Sequence, residues 1–402
     1  MNPPESTILT INGGSSSIKF ALFRVGEALE RELHGQVEWV GSDAKLSFTD
    51  THRDPHRGQR PGRFDQGHAV TVLLDWLEAQ PDFKSVRAVG HRVVQGMQHS
   101  DPEPVTPALL DELKRIAPNA PEHTPREIEL LEAFARRHPE LPQVVCFDTA
   151  FHRTMPAVAR RLAIPRRYQA QGVERYGFHG LSYAYLVEAL RKIGDPAATT
   201  GRVILAHLGN GASMAAVRDG KGIDTSMGFT PASGLPMGTR SGDLDPGLVN
   251  YLARTENMTA AQFQHLVNHE SGLLGVSGSS ADMRVLLAQQ ATDEAAGEAV
   301  DFFCYQAKKW IGAFTAALGG LDTLVFAGGI GEHAPLVRDQ ACSGLDFLGI
   351  EIDEDRNAAN AAVISSAASR VTVRVMKTDE ERVIAEAVAR ELRMGGTPGA
   401  TT

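Results

Sequence analysis

ILTINGGSSSIKFA, residues 8–21, and ILAHLGNGASMAAV, residues 204–217, share one pattern. Laying residue 8 over residue 204 matches Ile8 with Ile204, Leu9 with Leu205, Gly13 with Gly209 and Ser17 with Ser213. Each stretch reads as an apolar strand, a Gly/Asn turn, a serine and a second apolar strand, which is the chemistry of a β-hairpin. Two unrelated hairpins would show the same turn residues. The alternative is a duplicated domain in which each half offers one glycine turn to a shared cleft.

A chain of 402 residues is too long for one ordinary core, so two domains are expected. The 42% hydrophobic and 22% charged composition is that of a globular protein. No apolar run approaches the roughly 20 residues that span a bilayer. MNPPESTILTING carries no basic flank and long apolar stretch of the secretory kind, so a cytoplasmic protein is expected. Forty basic against 49 acidic side chains, a net charge of −9, speak against nucleic acid or an anionic membrane as partner. Cys146, Cys304 and Cys342 lie far apart without CxxC spacing and read as buried free thiols.

Outward from the two hairpins, short apolar runs alternate with helical patterns. The runs are ILTI (8–11), VRAVG (86–90), VVCF (144–147), VILAH (203–207), LVFAGG (324–329) and VRVM (373–376). PALLDELKRIA, PREIELLEAFARR, LSYAYLVEALRKI, GEAVDFFCYQAKKWIGAFTAAL and EERVIAEAVARELRM space their apolar residues as helices do. The alternation predicts an α/β fold with buried strands. Thr51 to Gly67, polar and punctuated by Pro and Gly, reads as a surface loop.

Ligands of open α/β sheets sit beyond the carboxyl ends of the strands. At those ends the runs deliver Asn12, then His91 and Arg92, then Asp148, then His207 with the LGNG turn, then GGIGE, then Thr378, Asp379 and Glu380. The turns INGGSSSIKF, HLGNGAS and AGGIGE can present backbone N–H groups to phosphate oxygens, with Lys19 adding positive charge. Neither GxxxxGK[ST] nor GxGxxG occurs, so the P-loop and Rossmann readings fail. DTSMGFTPASGLPMGTRSGDLDPG, residues 224–247, shows no helical or strand period. A structureless loop of that length is usually functional. Its Arg240 offers a planar fork for carboxylate or phosphoryl oxygens, and Arg92 is the natural partner.

Two arginines with His179 and Asp148 suit phosphoryl transfer, which needs positioning and charge neutralisation more than covalent chemistry. Asn12 and Glu380 would suit a magnesium ion that keeps its waters. Surface salt bridges would equally occupy either arginine, and Asp148 could cap a helix over TAFHRTM. His265 and His269 are spaced as a zinc pair without the HExxH order, and the arginines of the 53–63 loop lack aromatic platforms. GVSGSS near Ser277 misses the GxSxG elbow.

Through INGGSSSIKF, GHRVVQG, CFDTAFHRTMP, RYGFHGLSY, HLGNGAS, DTSMGFTPASGLPMGTRSGDLDP, SSADMR, FAGGIGE and TDEE, in that order and nearly end to end, the sequence resembles the acetate kinase family, the acetate and propionate kinases. The resemblance implies the acetate and sugar kinase, heat-shock chaperone and actin type of fold. That fold has two domains of duplicated ribonuclease H-like topology with a nucleotide cleft between them, usually in a homodimer. The domains would be 1–150, joined by a C-terminal helix at about 383–402, and 151–382.

Carried over position by position, the resemblance implies metal ligands at Asn12 and Glu380, for Mg²⁺ or Mn²⁺, and a phosphate-region lysine at Lys19. It implies a carboxylate-binding arginine at Arg92, an active-site acid at Asp148, and His179 and Arg240 steadying the transferring phosphoryl. ATP or ADP would be contacted by His207, Leu208, Gly209, Asn210 and Gly211, by Asp282, Met283 and Arg284, and by Gly329, Ile330, Gly331, Glu332 and His333. The implied reaction is reversible, direct in-line transfer of the ATP γ-phosphoryl to acetate, giving acetyl phosphate and ADP.

Several positions depart from the family. IAPNAPE stands where LAPLHNP is usual, so Asn119 replaces a leucine of the pocket around the acetate methyl, which leaves propionate or another short acid open as acceptor. Tyr183 replaces the second histidine of GFHGTSH, His333 the asparagine of GIGEN and Gln95 the histidine of GHRVVHG, while Gly13 stands where cysteine is common. None of these touches a group assigned to transfer. A rival of another class is an ATP-driven conformational switch of the chaperone or actin kind, which would have no use for a carboxylate clamp.

Overall fold

Both stretches that opened the reading form hairpins. In the computed structural model, which describes residues 6–14, 17–40, 43–50, 54–59, 64–120 and 122–394, Ser6–Gly13 (β1) pairs antiparallel with Ser17–Val25 (β2). The chain divides into two compact units, Met1–Ala150 with Asp379–Thr402, and Phe151–Thr378.

In the first unit the sheet continues through Leu29–Val40 (β3), Asp43–Asp50 (β4), Asp54–Gln59 (β5), Phe64–Asp65 (β6), Val86–Val93 (β7), Glu103–Pro104 (β8) and Gln143–Phe147 (β9). Its order is β5-β4-β3-β2-β1-β7-β9-β8, with β6 against β4. From β1 to β5 the pairing is antiparallel, whereas β1, β7 and β9 run parallel. Alternation decides which face is core: Leu9, Ile11, Phe20, Leu22 and Leu33 pack against Leu73 and Leu77 of the helix Ala69–Glu78. The opposite face at Gly90 receives the helix Glu380–Glu391. A Cβ on Gly90 would lie 2.5 Å from Ile384 and 2.6 Å from Val388, so only glycine admits the helix this closely.

The second unit builds the same order again. Arg202–Leu208 (β10), Ala212–Arg218 (β11), Lys221–Thr225 (β12), Thr323–Ala327 (β13) and Thr372–Val375 (β14) form a sheet ordered β12-β11-β10-β13-β14. This repeats β3-β2-β1-β7-β9, antiparallel on one side of the central strand and parallel on the other. The duplicated ribonuclease H-like α/β fold is therefore present in both halves.

The residue matches need one correction. Asn12 pairs with Lys19, seven residues on, whereas its counterpart Leu208 pairs with Ala212, four residues on. The second hairpin turns sooner, so Ser213, which pairs with His207, corresponds to Phe20, which pairs with Ile11, and not to Ser17. The strand matches are structural; the serine match is not.

A second correction concerns Thr51 to Gly67. Residues 54–59 pair with β4 as an edge strand, Ser47 opposite Gln59 and Asp50 opposite Asp54. Pro55 is tolerated there because an edge strand leaves one row of backbone groups unpaired. Arg53, Arg60 and Arg63 lie outside the described residues. The long stretch after Thr225 contains no helix or strand until Gly247–Thr255, as its lack of period predicts. Cys146, Cys304 and Cys342 are buried and free, and burial pushes each thiol up to about 12.

Asp379 starts the return to the first unit. Its side chain caps the helix Glu380–Glu391 by accepting from Arg382 N at 3.0 Å, which places Glu380 in the first helical turn. The packing at Gly90 predicts that Gly90→Ala overpacks this junction and costs about 1–3 kcal/mol in a urea titration. Adding Val388→Ala should return part of that loss; an unchanged midpoint in the single variant would contradict the close approach.

Candidate active site

In the first unit the ends of β1, β7 and β9 bring four of the expected residues together. Asn12, at the end of β1, donates from Nδ2 to Glu380 Oε2 at 2.8 Å and Glu381 Oε1 at 3.1 Å. Its Oδ1 accepts from Arg92 Nη1 at 3.2 Å. Arg92 Nη2 donates to Asp148 Oδ2 at 2.8 Å, and Asp148 is fully buried at 0% exposure. Asp148 is held there because its own N–H donates to Val93 O, which continues the parallel pairing one residue past β9. Burial opposes the charge on Arg92, but Asp148 and then Glu380 outweigh it and raise the guanidinium above its ordinary value. This is an interior cation, not a surface salt bridge.

Beside it lies a residue that sequence reasoning passed over. Glu127, in the first turn of the helix Thr124–Arg137, accepts from Val94 N through Oε1 at 3.1 Å, while its buried Oε2 has no hydrogen-bond partner among the described residues. Burial, opposed by Arg92, pushes its carboxyl up to about 8. A signal was available: Leu130, Leu131 and Phe134 stand three, four and seven residues on, so Glu127 occupies the apolar stripe. Gly13 faces this helix, since a Cβ there would sit 3.2 Å from Leu130; the larger cysteine common at this position would press on it.

Lys19 is exposed on β2 and lines a cavity of about 500 Å³ with Arg31, His34, Lys45 and Glu381. Asn119 ends the short 3-10 helix Ala117–Asn119, and its side chain lies outside the described residues.

The second unit gathers the other set around Gly211. His179 has a left-handed backbone (φ 58°) just before the helix Gly180–Lys192. Its Nδ1 pairs with Ser213 Oγ at 2.8 Å, and the rings of His179 and His207 are 4.5 Å apart. A Cβ on Gly211 would lie 3.4 Å from His179 Nε2 and 3.8 Å from Arg240 Nη1. Nε2 and the guanidinium therefore flank one bare patch of backbone. Arg240 is steadied by donating to Pro231 O at 3.2 Å, within the same irregular loop.

The Tyr183 hydroxyl bonds Ser213 Oγ, the atom that also meets His179 Nδ1, so this departure from the family stands one side chain away from a residue expected to steady transfer.

The glycine turns also meet. A Cβ on Gly209 would be 3.8 Å from Gly329 N, and Gly328 (φ 76°) lies against the Leu208 carbonyl. Gly329, Ile330, Gly331, Glu332 and His333 lie in the helix Gly328–His333, where His333 is largely exposed and Glu332 largely covered. Asn210 O accepts from Gly238 N at 3.0 Å, and a Cβ on Gly238 would sit 3.2 Å from Ala281 O, which brings Asp282 to the edge of this group. Asp282 caps the helix Met283–Gln289 and pairs with Arg284 at 2.6 Å.

Backbone amides beside an imidazole and a guanidinium can hold and neutralise a polyphosphate, and the first unit offers a buried guanidinium to an anion. A sequence model of the acetokinase family matches residues 7–386. The chain belongs to the acetokinase family. Family membership makes it a kinase.

The chain is 45% identical over 390 residues to an acetate kinase of Methylocella silvestris, covering 94% of this chain and 96% of that one. It is 40% identical over 402 residues to a propionate kinase of Citrobacter rodentium, covering 98% and 99%. Among solved structures it is similar to Porphyromonas gingivalis acetate kinase, with a TM-score of 0.83, 37% identity and 96% and 100% coverage. A propionate kinase from Francisella tularensis gives a TM-score of 0.86, 36% identity and 95% and 98% coverage.

The geometry around Gly211 predicts a separation of fold from function in this acetokinase. The added methyl of Gly211→Ala meets only ordinary contact distances, so the melting temperature should stay close to wild type. Turnover should fall on the order of 10²-fold, because the methyl occupies the space between His179 and Arg240. Wild-type turnover in a folded variant would show that the reacting group sits elsewhere.

Proposed function

We propose that the protein transfers the γ-phosphoryl of ATP to acetate, reversibly, giving acetyl phosphate and ADP. The observation that carries this reading is Arg92, a buried guanidinium whose charge is reinforced by Asp148, at the end of a strand where an anionic acceptor can reach it. An ATP-driven switch has no use for such a group.

In the proposed reaction an acetate oxygen attacks the γ-phosphorus. The new O–P bond forms as the bond to the β–γ bridging oxygen breaks, and ADP leaves with that electron pair. Arg92 orients the carboxylate and neutralises its charge, and Asp148 fixes the guanidinium plane through Nη2. His179, with Nδ1 engaged by Ser213, directs Nε2 at the transferring group, and Arg240 neutralises the charge that spreads over its oxygens. His207 to Gly211 and Gly329 to His333 supply amides for the remaining phosphates, with Asp282 to Arg284 and Lys19 as further nucleotide contacts.

Asn12 and Glu380 would hold Mg²⁺, which supplies charge neutralisation on the phosphates. The donor types fit: the Asn12 amide oxygen, which here accepts from Arg92, and a carboxylate in a helical first turn are the hard oxygen ligands this ion takes. Among the described residues no group of three or more His, Cys, Asp or Glu is placed to hold a metal ion. A homodimer is part of the proposal, since Leu248, Val249 and Tyr251 of the helix Gly247–Thr255 are exposed apolar side chains. Among the described residues no helix is long and apolar enough to cross a membrane.

Propionate is the second reading, favoured by Asn119 in place of a pocket leucine and by the likeness to propionate kinases. Trapping the acyl phosphate with hydroxylamine while acetate, propionate and butyrate compete should give acetohydroxamate in excess. Propionohydroxamate in excess would shift the acceptor, and ATP hydrolysis without any hydroxamate would end the kinase reading. In the same assay Arg240→Ala should lose about 10²-fold or more in turnover.

A further inference from the structure

The surroundings of Arg92 hold more acid than a carboxylate-binding site can use. Asp148 and Glu380 both act on its guanidinium, and Glu127 is the third carboxyl that does so. Were all three ionised, one cation would face three anions, and an incoming carboxylate would be repelled rather than drawn in. Glu127 escapes this arrangement by its location. It is 3% exposed, the buried side chains three and four residues on, Leu130 and Leu131, are apolar, the buried one three residues back is the hydroxyl of Thr124, and Oε2 meets no donor among the described residues. A carboxylate oxygen left there without a donor would carry a desolvation cost of several kcal/mol, whereas a carboxyl group avoids it by keeping its proton.

We propose that Glu127 is a positioning residue for the acceptor. As an uncharged carboxyl it ties down the chain just beyond Arg92 through Val94 N, and it adds no third negative charge where the incoming carboxylate must approach Arg92. This rests on the proposed carboxylate kinase reading. Oε1 carries the tether at 3.1 Å, two residues past Arg92, so the end of β7 is held from the helix side while Asp148 holds it from β9. Gly13, at the end of β1, packs toward the Glu127 stem, where a Cβ would lie 3.8 Å from Cγ. The charged groups that act on Glu127 are Arg92, from β7, and Asp148, beyond β9. Arg92 favours its ionised form and Asp148 its neutral form. Burial exceeds both and puts the proton loss at about 8, far above the ordinary 4.5.

The consequence has a definite sign. Below about pH 8 Glu127 is neutral and the acceptor meets a guanidinium faced by two carboxylates rather than three; above it the third negative charge opposes acceptor binding. The KM for the acceptor should therefore be flat through neutral pH and climb up to about tenfold per pH unit beyond pH 8, with kcat changing much less. Glu127→Gln can still accept from Val94 N and never ionises, so its acceptor KM should stay flat across the same range. Glu127→Ala loses the tether and should raise KM at every pH.

The experiment is steady-state kinetics from pH 6 to 10 on wild type, Glu127→Gln and Glu127→Ala, with whichever short acid is turned over as the varied substrate and ATP saturating. A wild-type KM that rises alone supports the proposal. An identical rise in Glu127→Gln, or a flat wild-type profile, overturns it. Absence of any acyl phosphate product at neutral pH would instead strike the kinase reading itself. Should Glu127→Gln not fold, carbon-13 NMR of glutamate side-chain carboxyls in the wild type decides. One resonance titrating well above the others is expected, and none overturns the assignment.

Discussion

The ion pair between Arg92 and Asp148 is the constraint around which the first unit is arranged. Both groups are removed from water, so each depends on the other; taking away one partner of such a pair typically costs about 3–5 kcal/mol. To bring them together the chain must lay β7 and β9 side by side and parallel, with Arg92 near the end of one and Asp148 just past the end of the other. The same parallel order puts β1 on the other flank of β7, and Asn12 then reaches Arg92 with one end of its amide and Glu380 and Glu381 with the other. Strand order is thus the cause of the polar cluster. Closure of the helix Glu380–Glu391 against Gly90 completes it.

The second unit solves a different problem with the same order of strands. Where the first keeps a longer turn after β1 and a charged network, the second turns sooner after β10 and presents Asn210 and Gly211 as bare backbone. His179 and Arg240 converge on that backbone from a helix start and from an irregular loop. Ser213, itself bonded by the Tyr183 hydroxyl, meets His179 at Nδ1 and fixes the imidazole. Duplication supplied two sheets with polar strand ends, and divergence of the turns gave those ends different polar groups.

Much of this was legible because buried parallel strands are short apolar runs whose polar residues can only come at their ends. Asn12, Arg92, Asp148 and His207 stood out for that reason. Glu380 stood out at the end of VRVM, though it belongs to the helix capped by Asp379 and not to the strand before it. What could not be read depended on backbone pairing or on neighbours distant in sequence. The edge strand Asp54–Gln59 has no apolar period, and its backbone pairing with β4 leaves no mark on residue type. The early turn after β10 changes no residue type, so Ser17 and Ser213 looked equivalent. Glu127 was hidden inside an ordinary amphipathic helix, and the tie of Tyr183 to His179 passes through a serine on another strand. Asp282 reads locally as a helix cap and entered only through family likeness.

The central claim is that the Arg92 guanidinium itself receives the acceptor carboxylate. Its most direct test is chemical rescue: Arg92→Ala assayed for acyl phosphate formation with and without added guanidinium ion. The account predicts a steep loss of kcat/KM for the acceptor with the KM for ATP nearly unchanged, and partial recovery that saturates with guanidinium. Full activity in Arg92→Ala, or a loss confined to the KM for ATP, would contradict it.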